Sequence, residues 1–373
     1  MAEKKAETRS EGIDKLVTRR LEEMGKNVVS QIDAQRNPDI ILPIRALSNI
    51  FFDEHHKIIK LGNKVSHRTY LNVAHTRKFM QTCLVAAECK KIIEQNVTTS
   101  IRDLYYAVKR TIPGTEENTV EEQAESDPII EDIEAALNTL REQLHLVADR
   151  KGYVAGPITV VDAGDEIDAA RMGSSGWAIP SNVESEIIKF KECSADYVLV
   201  IEKDAVWQRL NEDKFWKKNN CLILTGKGQP ARGTRRLINR LHRELKLPVY
   251  VIADADVWGY YIYSVIKQGS INLSFISDRL GTPEAKFIGL TTQDVNKFNI
   301  PKNVTIKLNK GDIKRAQELL NYVWFKPKEW HQEINHMLQV GYKLELEALS
   351  AKGIRFISQE YLPQKIGNKE FMP

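Results

Sequence analysis

Two short apolar runs, each ending in carboxylates, constrain this chain more than any other feature. The first is Tyr197-Val198-Leu199-Val200-Ile201, followed at once by Glu202; the second is Val249-Tyr250-Val251-Ile252-Ala253, followed by Asp254 and Asp256. Apolar runs of this length, rich in β-branched residues, read as buried strands of a parallel sheet. In an open α/β sheet the functional crevice lies just beyond the carboxyl ends of the strands. Three acids delivered there from two strands make a hard, oxygen-lined site of the kind Mg²⁺ accepts. A plainer reading stands beside it, because acids at strand ends often cap the following helix or face water. The trio favours the site. Asp254 and Asp256 are two apart and point the same way on an extended backbone, and Glu202 adds an oxygen ligand from another strand end. Asp204 is a further candidate, but its position suits a helix start equally well.

A chain of 373 residues is too long for one ordinary core, so two or three domains are expected. With 42% hydrophobic and 28% charged residues the composition is that of a soluble globular protein. No apolar stretch approaches the roughly 18–20 residues of a membrane span, and MAEKKAETRSEG lacks the apolar region of a secretory signal. Cys83, Cys89, Cys193 and Cys221 fall in no zinc or redox spacing, which points to free thiols in a reduced intracellular protein. A net charge of +4 permits nucleic-acid binding without arguing for it.

Residues 1–40 are polar, with one amphipathic helix expected from Ile13 to Met24 and no obvious core of their own. Helical patterns begin near Tyr70 and again near Ser100. The acidic stretch Glu116–Asp132, opened by Pro113-Gly114, reads as a loop and then a solvated helix face, leading into a helix over Ile129–Leu146. A domain boundary is expected at Arg150-Lys151-Gly152. Beyond it strands and helices alternate, with strands expected at Ile158–Val161, Tyr197–Ile201, Cys221–Leu224, Val249–Ala253, Leu273–Ile276 and Phe287–Gly289. A helix over Thr234–Leu245 carries Leu237, Ile238, Leu241 and Leu245 on one stripe. Such alternation implies an α/β fold with a mostly parallel sheet. From Ile313 onward the chain reads as helices, with Trp324, Trp330, Leu338 and Leu349 facing a core.

Two further segments bear chemistry. In Thr99-Ser100-Ile101-Arg102-Asp103-Leu104-Tyr105-Tyr106 the paired tyrosines suit amphipathic packing. Arg102, however, lies one helical turn before Tyr106, where a guanidinium can sit beside a phosphate. Lys90, Lys91, Lys109 and Arg110 add a basic surround, and a tyrosine hydroxyl activated by neighbouring charge or metal is a competent nucleophile. The string GKGQPARGT lacks the spacing of a nucleotide-binding phosphate loop. It reads as a Gly-rich strand-to-helix turn whose basic residues face a nucleic-acid backbone, so ATP binding by this chain alone is not expected. His55-His56 is most simply a surface pair.

VLVIEKDA followed by VIADADVWG resembles the Toprim signature, a glutamate after one strand and Asp-x-Asp after a later one. With SIRDLYY upstream, the combination resembles the family that unites the meiotic double-strand-break transesterase with the A chain of archaeal topoisomerase VI. RKGYVAG, LTGKGQPARGTRRLINRL, MLQVGYKLELEAL and YLPQKI extend the likeness over most of the chain. The resemblance implies an N-terminal arm over residues 1–69 that docks a partner, above all through residues 1–40. It also implies a winged-helix, catabolite-activator-like cleavage domain over 70–150, and a Toprim α/β domain with a C-terminal helical extension over 151–373. It makes Tyr106 the nucleophile, Tyr105 a supporting residue and Arg102 the neighbouring arginine. Glu202 and Asp254 would hold Mg²⁺, with Asp256 completing the cluster. The implied activity is transient double-strand cleavage and resealing of DNA through a 5′-phosphotyrosyl link, relaxing and decatenating it. The implied assembly is a homodimer on double-stranded DNA, each tyrosine working with the other protomer's acids. A topoisomerase VI B subunit with a GHKL-type ATPase would complete an A₂B₂ heterotetramer and bind the ATP. The expected location is cytoplasmic, at the nucleoid. The alternatives are a recombination-initiating transesterase of the same family, a Toprim nuclease or primase, and a winged-helix DNA-binding protein with a degenerate metal site.

Overall fold

The computed structural model describes the backbone of residues 2–373 and the side chains of residues 11–373. The chain divides into two units. One runs to Phe51 and takes in Leu61–Asp149 and Ile271–Phe275; the other comprises Phe52–Lys60, Arg150–Ser270 and Ile276–Pro373.

The first unit is built on helices α1 (Ala2–Asp33), α2 (Val73–Glu94), α3 (Ile101–Val108) and α4 (Gln123–Leu137). Val17 and Leu21 of α1 share one core with Val85, Cys89 and Ile92 of α2, Leu104 and Val108 of α3, and Ile129 and Ile133 of α4. The N-terminal stripe visible in the sequence therefore finds its apolar partner within this unit, as amphipathic helices must. A ribbon pairs Asp39–Pro43 antiparallel to Val65–Thr69. After α3 the chain makes a small hairpin. Ile112 N–H donates to Glu117 O and Thr119 N–H to Arg110 O, with Pro113-Gly114 at the tip.

Two expectations for this unit need correction. The helix expected over Ile129–Leu146 begins earlier and stops at Leu137, because Asn138 adopts the left-handed conformation at φ 47°, a common way to end a helix. The acidic stretch is also not simply a solvated face. Asp132 is buried and accepts hydrogen bonds from Arg45 and Arg68. Arginines more than sixty residues away supply the pairing, which local periodicity does not carry.

The second unit holds a six-stranded sheet in the order Trp177–Ala178, Tyr153–Ala155, Cys221–Thr225, Tyr197–Ile201, Val249–Ile252, Lys286–Gly289. The last four are mutually parallel; Tyr153–Ala155 pairs antiparallel to Cys221–Thr225, and Trp177–Ala178 pairs antiparallel to Tyr153–Ala155. Every residue of Tyr197–Ile201 and of Cys221–Thr225 is buried, as strands covered on both faces require. Leu199, Ile201 and Ile223 pack with Val206, Trp207 and Leu210 of α5 (Asp204–Glu212) and with Phe215 of α6 (Phe215–Lys218). The crossover helices are α7 (Arg232–Leu245), with Leu237, Ile238 and Leu241 buried, and α8 (Val257–Gln268). A separate antiparallel sheet joins Ile188–Cys193, Ile158–Asp162 and Asp165–Asp168. Among the described residues no helix is long and apolar enough to cross a membrane.

From Tyr197–Ile201 the chain steps to Cys221–Thr225 on one side, then returns to Val249–Ile252 on the other. The strand order thus reverses at Tyr197–Ile201, and such a reversal opens a crevice at the strands' carboxyl ends. Leu273–Ile276, expected as a strand, is instead a tight helical turn at Ser274–Ile276 that runs into Ser277–Leu280. Leu273 and Ile276 are both buried and three apart, a spacing that a short apolar run shares with a helical turn. Trp324, Trp330 and Leu349 are buried as expected, whereas Met337 takes the core position assigned to Leu338, which is half-buried.

The RKGYVAG segment docks on the Gly-rich turn: Lys151 Nζ donates to Gln229 O, and Thr234 Oγ1 donates to Lys151 O at 2.6 Å. Gly152 has φ +99°, and a Cβ there would lie 2.3 Å from Thr225 O. Gly152→Ala is expected to destabilise this unit by about 2–4 kcal/mol through strain and close contact. All six tryptophans, from Trp177 onward, lie in this unit. Urea unfolding followed by tryptophan fluorescence therefore reads the loss directly.

Candidate functional site

The reversal in strand order places Glu202 and Asp254 at adjacent strand ends. The Glu202 N–H donates to Ile252 O at 3.0 Å, continuing the ladder one residue past the strand. The Asp254 N–H then donates to Glu202 Oε2 at 3.0 Å. Asp254 is buried, and its two oxygens are held separately. Oδ1 accepts the Leu346 N–H at 2.9 Å, and Oδ2 lies 3.0 Å from Lys203 Nζ. Lys203 also stands 3.6 Å from Glu347 Oε2. Asp256 caps α8: its Oδ1 accepts the N–H groups of Trp258 and Gly259 at 2.9 and 2.7 Å. The capping reading therefore describes one oxygen of Asp256. Among the described residues Asp256 Oδ2 and Glu202 Oε1 accept no hydrogen bond.

Burial dominates the electrostatics. It pushes Glu202 up to about 7, helped by the charges of Asp254 and Asp256 and opposed by the Asp254 N–H. Burial likewise pushes Asp254 up to about 6, offset in part by the Leu346 N–H and by Lys203. For Lys203 burial acts against the charge, yet the hydrogen bond and charge of Asp254, with Glu347 and Glu345, hold its ammonium above the ordinary lysine value. Among the described residues no three His, Cys, Asp or Glu side chains form a ready-made metal cage. Mg²⁺ does not need one, since it is commonly held by one or two carboxylates, with water and substrate phosphate completing its shell. Two adjacent carboxylates destabilised by burial, with free oxygens on Glu202 and Asp256, fit a divalent cation.

Sequence reasoning missed three contributors. Lys203 neutralises Asp254, the Leu346 N–H fixes it from a segment ninety-two residues away, and Gly259 allows close approach. A Cβ at 259 would stand 2.4 Å from Asp254 O. The Gly in VIADADVWG was the available signal for the last. Asp204 begins α5 and accepts from Gln208 Nε2, as its alternative reading had it. The Gly-rich turn backs the site: Gly228 N–H donates to Glu202 O at 2.8 Å.

In the first unit, α3 opens with a capping box. Ser100 Oγ accepts the Asp103 N–H, and Asp103 Oδ2 accepts the Ser100 N–H and Oγ–H. Tyr105 is 9% exposed and donates to Glu121 O at 2.8 Å, while Lys109 Nζ donates to both Tyr105 Oη and Glu121 O. Tyr106 is 59% exposed, with its ring centroid 4.9 Å from that of Tyr105. The expected basic surround is largely paired: Lys90 with Glu94 and Glu22, Lys91 and Arg110 with Glu88. Arg102 is exposed and forms no ion pair among the described residues, and no hydrogen bond joins it to Tyr106.

Three family models match this chain. That of the type IIB DNA topoisomerases covers residues 77–146, that of the all-beta domain in the DNA topoisomerase VI alpha chain covers residues 151–194, and that of the topoisomerase 6 A-chain/Spo11 Toprim domain covers residues 197–366. The type 2 DNA topoisomerase 6 A chain of Pyrococcus abyssi is 47% identical over 96% of this chain and 95% of its own length. That of Saccharolobus shibatae is 42% identical over 93% of each chain. The DNA topoisomerase 6 A3 chain of Oryza sativa subsp. indica is 35% identical over 95% of this chain and 78% of its own.

The raised carboxylates have a signed consequence. Between their ordinary values, 4.5 and 3.8, and their folded values near 7 and 6, the native state holds more protons than the unfolded chain. Without a divalent cation, stability must therefore fall as pH rises through that window and level off above it. Glu202→Gln is expected to raise the metal-free stability at pH 8 by about 1–3 kcal/mol, to flatten the slope, and to abolish stabilisation by added Mg²⁺. Urea unfolding at pH 4.5, 6 and 8, with and without the ion, checks all three.

Proposed function

This chain belongs to the type 2 DNA topoisomerase 6 A-chain family, and from that premise we propose that it is the DNA-cleaving and religating component of an ATP-dependent type IIB topoisomerase. The observation that carries the reading is that one chain holds both an exposed Tyr106 on a capped helix and, in its other unit, acids converging at the switch point of a Toprim sheet. In this reading residues 70–150 form a winged helix, supported by α2, α3 and the hairpin that follows. Residues 151–373 carry the Toprim fold and its helical extension, and residues 1–69 dock the partner.

The chemistry follows from what the side chains can do. Tyr106 Oη attacks a DNA phosphorus, the phosphorus–O3′ bond breaks, and the phosphate remains on the tyrosine as a 5′-phosphotyrosyl ester. The 3′-hydroxyl leaves with a proton, and resealing is the same step in reverse. Arg102, one turn before Tyr106 and without an acidic partner among the described residues, holds the phosphate. Tyr105, clamped by Lys109 and Glu121, fixes the helix from which Tyr106 projects. Glu202 and Asp254, with Asp256, would hold Mg²⁺, which when bound would supply positive charge against the charge that develops in the transfer. Cutting both strands takes two tyrosines, hence a homodimer, each tyrosine working with the acids of the other protomer. In this reading the nucleotide is bound by a B subunit with a GHKL-type ATPase in an A₂B₂ assembly. Relaxation and decatenation follow from passing a second duplex through the break.

The test mixes the chain with its ATPase partner, supercoiled DNA, Mg²⁺ and a nucleotide, then denatures and recovers protein-linked DNA 5′ ends. Tyr106→Phe is expected to lower the adduct roughly 10³-fold or more, and Glu202→Ala about 10²-fold or more. Adduct from Tyr106→Phe at the wild-type level would refute the nucleophile.

A further inference from the structure

Among the described residues Lys203 is the cation seated on the acidic cluster, and its contacts are unequal. It takes one oxygen of Asp254, at 3.0 Å, while the other is held by the main-chain N–H of Leu346. Removing the ammonium therefore frees Asp254 Oδ2 without releasing the carboxylate from its backbone anchor. The lysine stem is flexible and the side chain 26% exposed. A second acid, Glu347, waits 3.6 Å from Nζ with its own side chain 45% exposed. Glu347 follows Leu346 directly, so the anchor and the second acid belong to one segment, Leu346–Lys352.

A divalent ion bound to Asp254 Oδ2 and an ammonium on the same oxygen would stand within a few ångströms as like charges, which the half-buried setting does not screen. The two cannot share the position. We propose that Lys203 is a built-in counter-ion that competes with the divalent cation for Asp254, and that Glu347 is the seat to which its ammonium retreats when the cation binds. The inference rests on the reading that Glu202 and Asp254 hold the metal. In the metal-free protein Lys203 occupies Asp254 Oδ2 and offsets its charge. It thereby also lowers the affinity for Mg²⁺, so that the ion is exchangeable and its occupancy follows supply. With the cation bound, the ammonium sits at the rim on Glu347.

The experiment is isothermal titration of the full-length chain with Mg²⁺, for the wild type and for Lys203→Met, Glu347→Gln, the double variant and Glu202→Gln. Lys203→Met is expected to bind about tenfold more tightly. Glu347→Gln is expected to bind about threefold more weakly, an effect that shrinks by more than half in the Lys203→Met background, because there is no ammonium left to reseat. A Lys203→Met affinity equal to or weaker than wild type, with binding lost in Glu202→Gln, overturns the proposal and leaves the metal reading standing. Unchanged binding in Glu202→Gln removes the metal reading and the proposal with it. A measurement on the wild type guards against misfolded variants: acetylation of Lys203 by an N-hydroxysuccinimide ester, read by mass spectrometry, should rise when Mg²⁺ saturates the protein. Acetylation unchanged by saturating Mg²⁺ overturns the proposal.

Discussion

The hydrogen bond from the Asp254 N–H to Glu202 Oε2 is the interaction on which the second unit's site depends. It is possible only because Tyr197–Ile201 and Val249–Ile252 are adjacent and parallel, so both run out at the same edge. Once the bond forms, Asp254 is turned so that Leu346 and Lys203 reach opposite oxygens. Ala255 pairs with Leu344, and Asp256 is delivered to the first turn of α8. Gly259 lets that helix lie against the Asp254 backbone. A chain of short-range contacts thus converts a strand order into the placement of three carboxylates.

Other buried acids in the same unit show what the site is not. Glu333 accepts from Tyr260 Oη, the Thr292 N–H and Thr292 Oγ1, and Asp294 accepts from Tyr361 Oη, Lys365 and the Thr291 N–H. These carboxylates are saturated by donors fixed in the fold, as buried polar groups ordinarily are. At Glu202 and Asp256 each carboxylate keeps an oxygen with no donor among the described residues. A purely structural cluster would gain by supplying donors or protons. Under-donated carboxylates that repel one another are a cluster that a cation would stabilise, which is the chemical basis of the metal-holding role proposed for them.

Much of this was legible because the signals are local. Continuous apolar runs mark two-faced strands, and the helical pattern that begins near Ser100 marks α3. Glu202, Asp254 and Asp256 stand at strand ends that the same runs define. What escaped depends on contacts distant in sequence. Nothing near Asp132 announces that Arg45 and Arg68 will bury it, and nothing near Asp254 announces Leu346 or Glu347. Leu273–Ile276 failed for another reason. Four apolar-rich residues satisfy both a strand and a helical turn, and burial at a spacing of three decides only once the chain is folded.

The paired tyrosines show how one residue of register separates structure from chemistry. Successive helical positions are about 100° apart, so Tyr105 and Tyr106 cannot share an environment. Leu104, Tyr105 and Val108 are buried, whereas Arg102 and Tyr106, four apart, lie on the exposed face. The capping box sets where the helix begins and hence which face each tyrosine takes. Tyr105 then spends its hydroxyl on Glu121 and Lys109, which holds α3 to the segment after the hairpin. A hydroxyl so engaged is a poor nucleophile and a good anchor. Tyr106 forms no such bond among the described residues, and Arg102 stands one helical turn before it on the exposed face. An anchored phenol beside an exposed one is an arrangement that would suit the nucleophile proposed for Tyr106, because the helix carrying the free hydroxyl is held in place.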